Sequence, residues 1–358
     1  MKSKLFALFF IFSFFISISS FADPTPQFKQ VVFFGDSLSD DGNFYNHSDH
    51  LLPKYPPYYS GRFSNGYVWS DDVSYALFSK FNIPSDNYAV GGATAALRNP
   101  FHGYLPVSIG MEIDDYKMRN LFANKDDTLF CIWIGGNDYL QGASDVDQTT
   151  TDVINSIVSA VQSLAGYKGA QFLVIGMPYL PLTPQAKLKQ LADNYKQLVT
   201  MHNEKLHAAI LTLRAQYPGT KIIEYNFKDH QILRQIVASQ AYRDQINKTY
   251  GVNIQNVTDA CWTGGLTKPS AQTIEKTLQN THNLSNSKNS LNIPVLAQQI
   301  ADNPALYEAY RVGQQAAQGG TECGHPEQYI FWDNVHPTAA MHKVIGGVIL
   351  DEILKNQM

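Results

Sequence analysis

The chain has 358 residues, of which 44% are hydrophobic and 16% are charged, and its formal net charge is −4. This length can bury a large core, and the mild acidity argues against a surface built to bind nucleic acid or anionic membranes. Loss of an N-terminal leader with two lysines and no acids would leave 25 basic against 31 acidic residues, a net charge of −6.

The first 22 residues predict a secretory signal peptide. Lys2 and Lys4 form a basic start, residues 5–18 form an apolar run, and Ser20 and Ala22 flank a small-residue cleavage site. The run contains serines and falls short of the roughly 20 apolar residues that a membrane-spanning helix needs. We therefore expect export of a mature domain, residues 23–358, that has no transmembrane segment.

Short apolar runs that predict buried strands alternate with amphipathic stretches that predict helices. This alternation is typical of a parallel sheet covered by helices on both faces, so we predict an α/β fold. The predicted strands are 31–34, 87–90, 128–134, 171–175 and 221–225, and the predicted helices are 68–80, 153–164, 187–216 and 338–354.

A serine follows the first predicted strand. Residues 35–38 are Gly-Asp-Ser-Leu, which places Ser37 at the carboxyl end of a strand, where open α/β sheets carry their active sites. Far along the chain, Asp333 and His336 stand three residues apart. A serine, a histidine and a carboxylate can act as nucleophile, base and orienting group, so this set predicts acyl transfer through Ser37.

Two further predicted strands end in turns that could hold a developing oxyanion. Gly91 and Gly92 follow the second strand, and Asn137 follows the third. An oxyanion needs donors about 3 Å away, glycine lets a backbone N–H approach closely, and an asparagine amide can donate. We predict donors from the N–H groups of Ser37 and Gly92 and from the Asn137 side chain. Taken one at a time, these residues are better explained as ordinary turn chemistry, and the oxyanion hole is favoured because both follow apolar strands of the sheet that carries Ser37.

The three cysteines fall into two groups. Cys131 lies in an apolar strand and is expected to be a buried free thiol. Cys261 and Cys323 lie in turn-rich loops, and in an exported chain we expect a disulfide between them rather than two free thiols. Within the tied segment, residues 268–292 are polar without a clear period. We expect a mobile surface loop there, either a passive loop or a lid that moves or is cut by an activating protease.

In four sequence blocks the chain resembles the GDSL lipase and esterase family, also called SGNH hydrolases. The blocks occur in family order at 35–40, 87–94, 135–138 and 333–337. The resemblance implies a three-layer α/β/α, flavodoxin-like fold with a central parallel sheet. It makes Ser37 the nucleophile, His336 the base and Asp333 its partner, with Ser37, Gly92 and Asn137 as the oxyanion hole. This mechanism requires no metal or organic cofactor, and the sequence indicates none.

The family context also decides between two histidines. His325 is likewise followed by proline and has Glu322 three residues before it, so it is an alternative base. The position of the last block favours His336.

Residues 61–69 resemble the larger secreted members of the family, which include phospholipases A, lysophospholipases and glycerophospholipid:cholesterol acyltransferases. This resemblance implies lipid ester substrates, with a sterol as a second acyl acceptor. The aromatic loop 55–59 could contact an acyl chain or simply pack its own rings. A carbohydrate acetyl esterase and a non-catalytic secreted binding protein on the same scaffold are the alternatives.

Overall fold

The computed structural model describes residues 25–96, 108–123, 125–227, 231–263, 268–284 and 291–357. The predicted signal peptide, residues 1–22, lies outside these described residues and stays a prediction. Within the described ranges, none of the helices has the length and hydropathy that a bilayer crossing requires.

Strands and helices alternate along most of the described chain. The strands are β1 (Gln30–Gly35), β2 (Ser85–Asn87), β3 (Thr128–Trp133), β4 (Gln171–Ile175), β5 (Lys221–Tyr225), β6 (Asn256–Ala260) and β7 (Tyr329–Phe331). The α-helices are α1 (Asn43–His47), α2 (Trp69–Phe81), α3 (Ile109–Arg119), α4 (Gly136–Tyr139), α5 (Val146–Leu164), α6 (Pro184–Leu188), α7 (Ala192–Gln216), α8 (Ile232–Ala238), α9 (Gln240–Tyr250), α10 (Ala271–Leu284), α11 (Ile293–Asp302), α12 (Pro304–Ala317) and α13 (Ala339–Lys355).

Five strands form one parallel sheet in the order β2-β1-β3-β4-β5. The strand order changes direction at β1 and β3, so the loops after these two strands meet at the carboxyl edge of the sheet. The predicted α/β fold with a central parallel sheet is therefore confirmed, and the residues of interest follow β1, β2 and β3.

Each face of the sheet buries a separate apolar layer, because side chains alternate along a strand. Val32 and Phe34 of β1 face the layer that contains α3, α5 and α7. Val31 and Phe33 face the layer that contains α2 and α13. Cys131 of β3 is a free, fully buried thiol in this second layer, as predicted. Helices thus cover both faces and form the expected three layers.

Two boundaries differ from the sequence prediction. The second strand is Ser85–Asn87 rather than 87–90, because the side chain of Asn87 accepts the N–H of Ala89 and turns the chain out of the strand. The predicted helix 187–216 is two helices, α6 and α7. Gln190 between them has a φ of +55°, in the left-handed region where a helix cannot continue.

The segment between Cys261 and Cys323 is more ordered than its composition predicts. The expected disulfide is present, and it closes a segment that contains α10, α11 and α12. The polar composition of 268–292 indicates no helix, but α10 (Ala271–Leu284) lies within it; residues 285–290 are outside the described residues, and movement or cleavage of this segment stays a prediction. Ile274 and Leu278 of α10 are buried in a third apolar cluster with α11 and α12. Their spacing of four residues places both on one face of the helix.

Candidate active site

Three side chains from opposite ends of the chain form one hydrogen-bonded series. Oγ of Ser37 lies 3.0 Å from Nε2 of His336, and Nδ1 of His336 lies 2.7 Å from Oδ2 of Asp333. Ser37 follows β1, whereas Asp333 and His336 lie between β7 and α13. Ser37 is 4% exposed and the other two are fully buried. The fold therefore brings together the three residues that the sequence predicts as nucleophile, base and orienting acid.

The partners of His336 fix the position of its ring proton. A carboxylate can only accept, so Nδ1 carries the proton toward Asp333 and Nε2 is left to accept from Ser37. Burial alone would raise the pKa of Asp333, but its interaction with His336 and the hydrogen bonds from His336 and Tyr58 outweigh burial and hold this pKa below its ordinary value. Asp333 is therefore ionised at neutral pH and holds the imidazole in the tautomer that a general base needs.

A tyrosine that the sequence did not single out also contacts the acid. The hydroxyl of Tyr58 donates a 2.6 Å hydrogen bond to Oδ2 of Asp333, the oxygen that also accepts from His336. Tyr58 is fully buried, and burial together with the nearby carboxylate raises its pKa well above the ordinary value, so it remains a donor. Within the aromatic loop 55–59, Tyr58 thus packs inward, whereas Tyr55 is exposed.

The two glycines after β2 differ in what their N–H groups can do. The Gly91 N–H donates to Oδ2 of Asp40 at 2.7 Å, so it is engaged within the fold. Gly92 has a φ of +80°, and a Cβ atom there would lie 2.8 Å from the side chain of Leu306. Because only glycine meets both conditions, this turn requires glycine at position 92. The engagement of Gly91 favours Gly92 as the donor to a substrate oxygen.

Asn137 is linked to the same turn. It lies in α4, directly beyond β3, and its side-chain Nδ2 donates to the carbonyl oxygen of Ala93 at 2.8 Å. Ala93 directly follows Gly92, so this bond links the Asn137 side chain to the turn that carries the Gly92 N–H. An amide group carries two N–H bonds, and the second can donate to a developing oxyanion. Asn137 is 9% exposed, which places it at the edge of the buried interior.

Helix α12 supports both sides of this arrangement. Asn303, which caps the helix, donates from Nδ2 to the carbonyl oxygen of Gly92 at 2.9 Å. One turn further on, Oε2 of Glu308 accepts from Nδ2 of Asn334 at 2.9 Å and from Nη2 of Arg311 at 2.7 Å. Asn334 directly follows Asp333. The Asn-Pro pair at 303–304 is a local helix-start signal, but no local pattern predicts these distant contacts.

The alternative base lies elsewhere. His325 is 71% exposed, and its Nδ1 lies 3.3 Å from Oε1 of Glu327. The structure therefore brings His336, and not His325, to Ser37. Among the residues that the structure describes, no group of three or more His, Cys, Asp or Glu side chains could hold a metal ion.

Comparison with known proteins identifies the family. The model of the GDSL-like lipase/acylhydrolase family matches residues 31–349. The chain belongs to this family. The match includes Ser37, Gly92, Asn137, Asp333 and His336, and membership makes the protein a carboxylic ester hydrolase.

This GDSL hydrolase is similar to several known proteins. The phosphatidylcholine-sterol acyltransferase of Aeromonas hydrophila is 30% identical over 331 residues, covering 90% of each chain. The secreted effector protein SseJ of Salmonella typhimurium is 31% identical over 208 residues, covering 56% of this chain and 47% of its own. Among solved structures, the carbohydrate acetylesterase Est24 of Sinorhizobium meliloti is 16% identical with a TM-score of 0.37, covering 55% of this chain and 83% of its own.

Proposed function

We propose that this GDSL hydrolase cleaves acyl esters of phospholipids and lysophospholipids through an acyl-enzyme on Ser37. The observation that carries the proposal is the continuous hydrogen-bonded series from Oγ of Ser37 through His336 to Asp333. A serine hydroxyl is a weak nucleophile unless a base accepts its proton as it attacks, and His336 is placed to do so.

The reaction has two halves. In the first, Nε2 of His336 accepts the Ser37 proton while Oγ attacks the ester carbonyl carbon, and the N–H groups of Ser37 and Gly92 and the amide of Asn137 hold the oxyanion. The tetrahedral intermediate collapses, and the alcohol or lysolipid leaves with the proton from His336. In the second half, His336 activates water, which releases the fatty acid and regenerates Ser37.

Two observations support a lipid ester over a sugar acetate. The side chains of Leu38, Val335 and Pro337, each beside a member of the Ser37–His336 pair, line an apolar cavity. A pocket of this kind favours an acyl chain over a sugar. The Aeromonas relative, similar over 90% of this chain, is named for transfer from phosphatidylcholine.

We extend the proposal to the acyl acceptor and to the location. An acyl-enzyme reacts with whichever hydroxyl reaches it, so a sterol that competes with water would form a sterol ester. The name of the Aeromonas relative supports a sterol as this acceptor. The predicted signal peptide and the word "secreted" in the name of the Salmonella relative support export of the mature chain. Cleavage of the 268–292 segment by a protease stays a prediction.

The test is fatty-acid release from a palmitoyl lysophospholipid by the mature protein, with and without a sterol, beside an acetylated sugar. We expect release from the lysophospholipid and its reduction by at least about 10⁴-fold in Ser37→Ala, as for loss of a serine nucleophile. A sterol ester among the products would confirm acyl transfer. Release of acetate from the sugar without fatty-acid release would overturn the lipid assignment, and equal rates in Ser37→Ala would overturn the mechanism.

A further inference from the structure

The turn after β2 carries the backbone N–H group that we assign to the oxyanion hole. The Ala93 N–H donates to the carbonyl oxygen of Val90 at 3.0 Å, which closes a turn over residues 90–93. Gly92, the third residue of this turn, has a φ of +80°, as in a type II turn. Because Gly91 and Gly92 restrict their own backbone very little, the position of the Gly92 N–H depends on the contacts that hold the turn from outside.

The two neighbours of Gly92 are held by the part of the fold that also carries Ser37 and Asn137. Asp40, in the loop after β1, accepts the Gly91 N–H at 2.7 Å. Asn137 of α4 donates to the carbonyl oxygen of the residue after Gly92 at 2.8 Å. These bonds fix the turn on both sides of Gly92, but Gly92 itself is held by another element.

Helix α12 supplies that contact. Asn303, at its start, donates from Nδ2 to the Gly92 carbonyl oxygen at 2.9 Å, and among the described residues this is the only hydrogen bond to Gly92. Leu306, one turn further along α12, is buried, and its side chain lies 2.8 Å from the position that a Cβ atom on Gly92 would occupy. A hydrogen bond and a close side-chain contact from one helix therefore fix the position of Gly92.

The side-chain amide of Asn303 serves two kinds of partner. Its Oδ1 accepts the N–H groups of Ala305 and Leu306 at 2.9 and 3.1 Å, which caps α12, while its Nδ2 donates to Gly92. A backbone N–H only donates and a carbonyl oxygen only accepts, so these contacts fix which end of the amide is which. Aspartate and serine cap helices about as well as asparagine. The cap alone therefore does not require asparagine, whereas the bond to Gly92 requires an N–H donor.

We propose that Asn303 is a positioning residue of the oxyanion hole, which holds Gly92 where its N–H can donate to the oxygen that becomes negative as Ser37 attacks. The inference rests on the proposed function, because it concerns acyl transfer through Ser37. A donor must lie about 3 Å from that oxygen, and a displacement of about 1 Å can slow an enzyme by about 10²-fold. The segment closed by Cys261 and Cys323 contains α12, so this segment takes part in orienting the site.

The test removes the donor and keeps the helix cap. Asn303→Asp keeps an oxygen for the cap but places a second oxygen against the Gly92 carbonyl, and Asn303→Ser keeps the cap without adding charge. The measured quantities are kcat and KM for p-nitrophenyl butyrate. Because the oxyanion forms in the transition state and is absent from the bound substrate, we expect kcat to fall while KM stays unchanged. The expected fall is at least about tenfold in both variants, below the roughly 10²–10³-fold for complete loss of a donor.

Asn292→Asp is the matched control. Asn292 is exposed and caps α11 through Oδ1, which accepts the Val295 N–H at 3.2 Å, so the variant makes the same change at a neighbouring helix start. Its kcat should equal that of the wild type. All three variants should unfold cooperatively in urea, as the wild type does.

The possible results separate this inference from the proposed function. Wild-type kcat in both Asn303 variants, with Ser37→Ala inactive, would overturn the inference and leave the proposed function standing. A rise in KM that matches the fall in kcat, or loss of cooperative unfolding in both variants, would indicate a general disturbance of the structure and would also overturn the inference. If the folded wild type releases no p-nitrophenol, the proposed function fails and this inference fails with it.

Discussion

The hydroxyl of Tyr58 donates a 2.6 Å hydrogen bond to Oδ2 of Asp333 in the interior of the protein. The same oxygen also accepts a hydrogen bond from Nδ1 of His336. Oδ1 of Asp333 accepts hydrogen bonds from the backbone N–H groups of Val335 and His336. Each carboxylate oxygen thus has two donors. A buried carboxylate with all its hydrogen bonds made is fixed in orientation, and it fixes the imidazole in turn.

The first prediction concerns this bond. Tyr58→Phe removes one donor from a buried charged acceptor, and such bonds contribute roughly 1.5–3 kcal/mol. We expect kcat to fall about tenfold with little change in KM, because Tyr58 orients the acid and is not placed against the substrate. Tyr75→Phe, at a residue that is 77% exposed, is the matched control and should behave as wild type. An unchanged kcat in Tyr58→Phe would show that the bond does not support catalysis.

A second prediction concerns the buried ion pair of α12. Arg311 is 2% exposed and pairs with Glu308, which also holds Asn334 beside Asp333. Arg311→Met leaves the Glu308 carboxylate buried without its cation, which typically costs about 3–5 kcal/mol. We expect the free energy of unfolding, measured in urea, to fall by this amount and the activity to be reduced.

The control for this pair is Arg119→Met. Arg119 pairs with Asp115 at 2.8 Å, but its side chain is 60% exposed, and exposed pairs contribute at most about 1 kcal/mol. Adding Glu308→Gln to Arg311→Met should recover part of the lost stability, since it removes the uncompensated charge. Equal losses in Arg311→Met and Arg119→Met would contradict this account.

A third prediction is a dependence of stability on pH. Glu112 is fully buried, accepts the N–H of Gly35 at 2.9 Å, and has its pKa raised well above the ordinary value, chiefly by burial. The folded chain therefore keeps this proton where the unfolded chain has lost it. The resulting stability is fully present below about pH 4.5 and is lost as pH rises through the folded pKa, by at most about 1.4 kcal/mol per pH unit.

Glu112→Gln tests this directly, because its amide oxygen can still accept from Gly35 but the side chain cannot ionise. The free energy of unfolding of Glu112→Gln, relative to wild type, should increase between pH 5 and pH 8. Glu204→Gln, at an exposed position, should follow the wild type at every pH. A constant difference between Glu112→Gln and wild type across this range would exclude the proposed linkage.

The cysteines give a fourth prediction. Cys261 and Cys323 are bonded and Cys131 is buried, so a maleimide should label one thiol per chain after unfolding without reductant and three after reduction. Reduction should also destabilise the chain by roughly 2–4 kcal/mol, since the bond closes a long segment. Three labelled thiols without reductant would show that the bond is absent.

Much of the site could be predicted because its parts are local. Ser37 and Asn137 each come directly after an apolar strand, and parallel strands bring their carboxyl ends to one edge. Asp333 and His336 are three residues apart and meet through one short turn. Short-range patterns indicate Ser37, Asn137 and the Asp333–His336 pair, whereas the choice of His336 over His325 depends on the family resemblance.

The supporting contacts could not be predicted in this way. Tyr58 meets Asp333 across 275 residues of sequence, and Asn303 meets Gly92 across 211. No local period encodes such pairs. The sequence does not indicate α10 for a related reason: Ile274 and Leu278 are the buried residues among those of the helix whose burial is described, and their burial depends on packing against α11 and α12.

The most direct test of the central claim, that Ser37 is the nucleophile, is covalent labelling with a long-chain alkyl fluorophosphonate followed by peptide mass mapping. We predict one adduct per chain, on the peptide that contains Ser37. The adduct should be absent in Ser37→Ala and should form far more slowly in His336→Ala, because the histidine activates the hydroxyl. An adduct on another serine, or unchanged labelling of Ser37→Ala, would contradict the account.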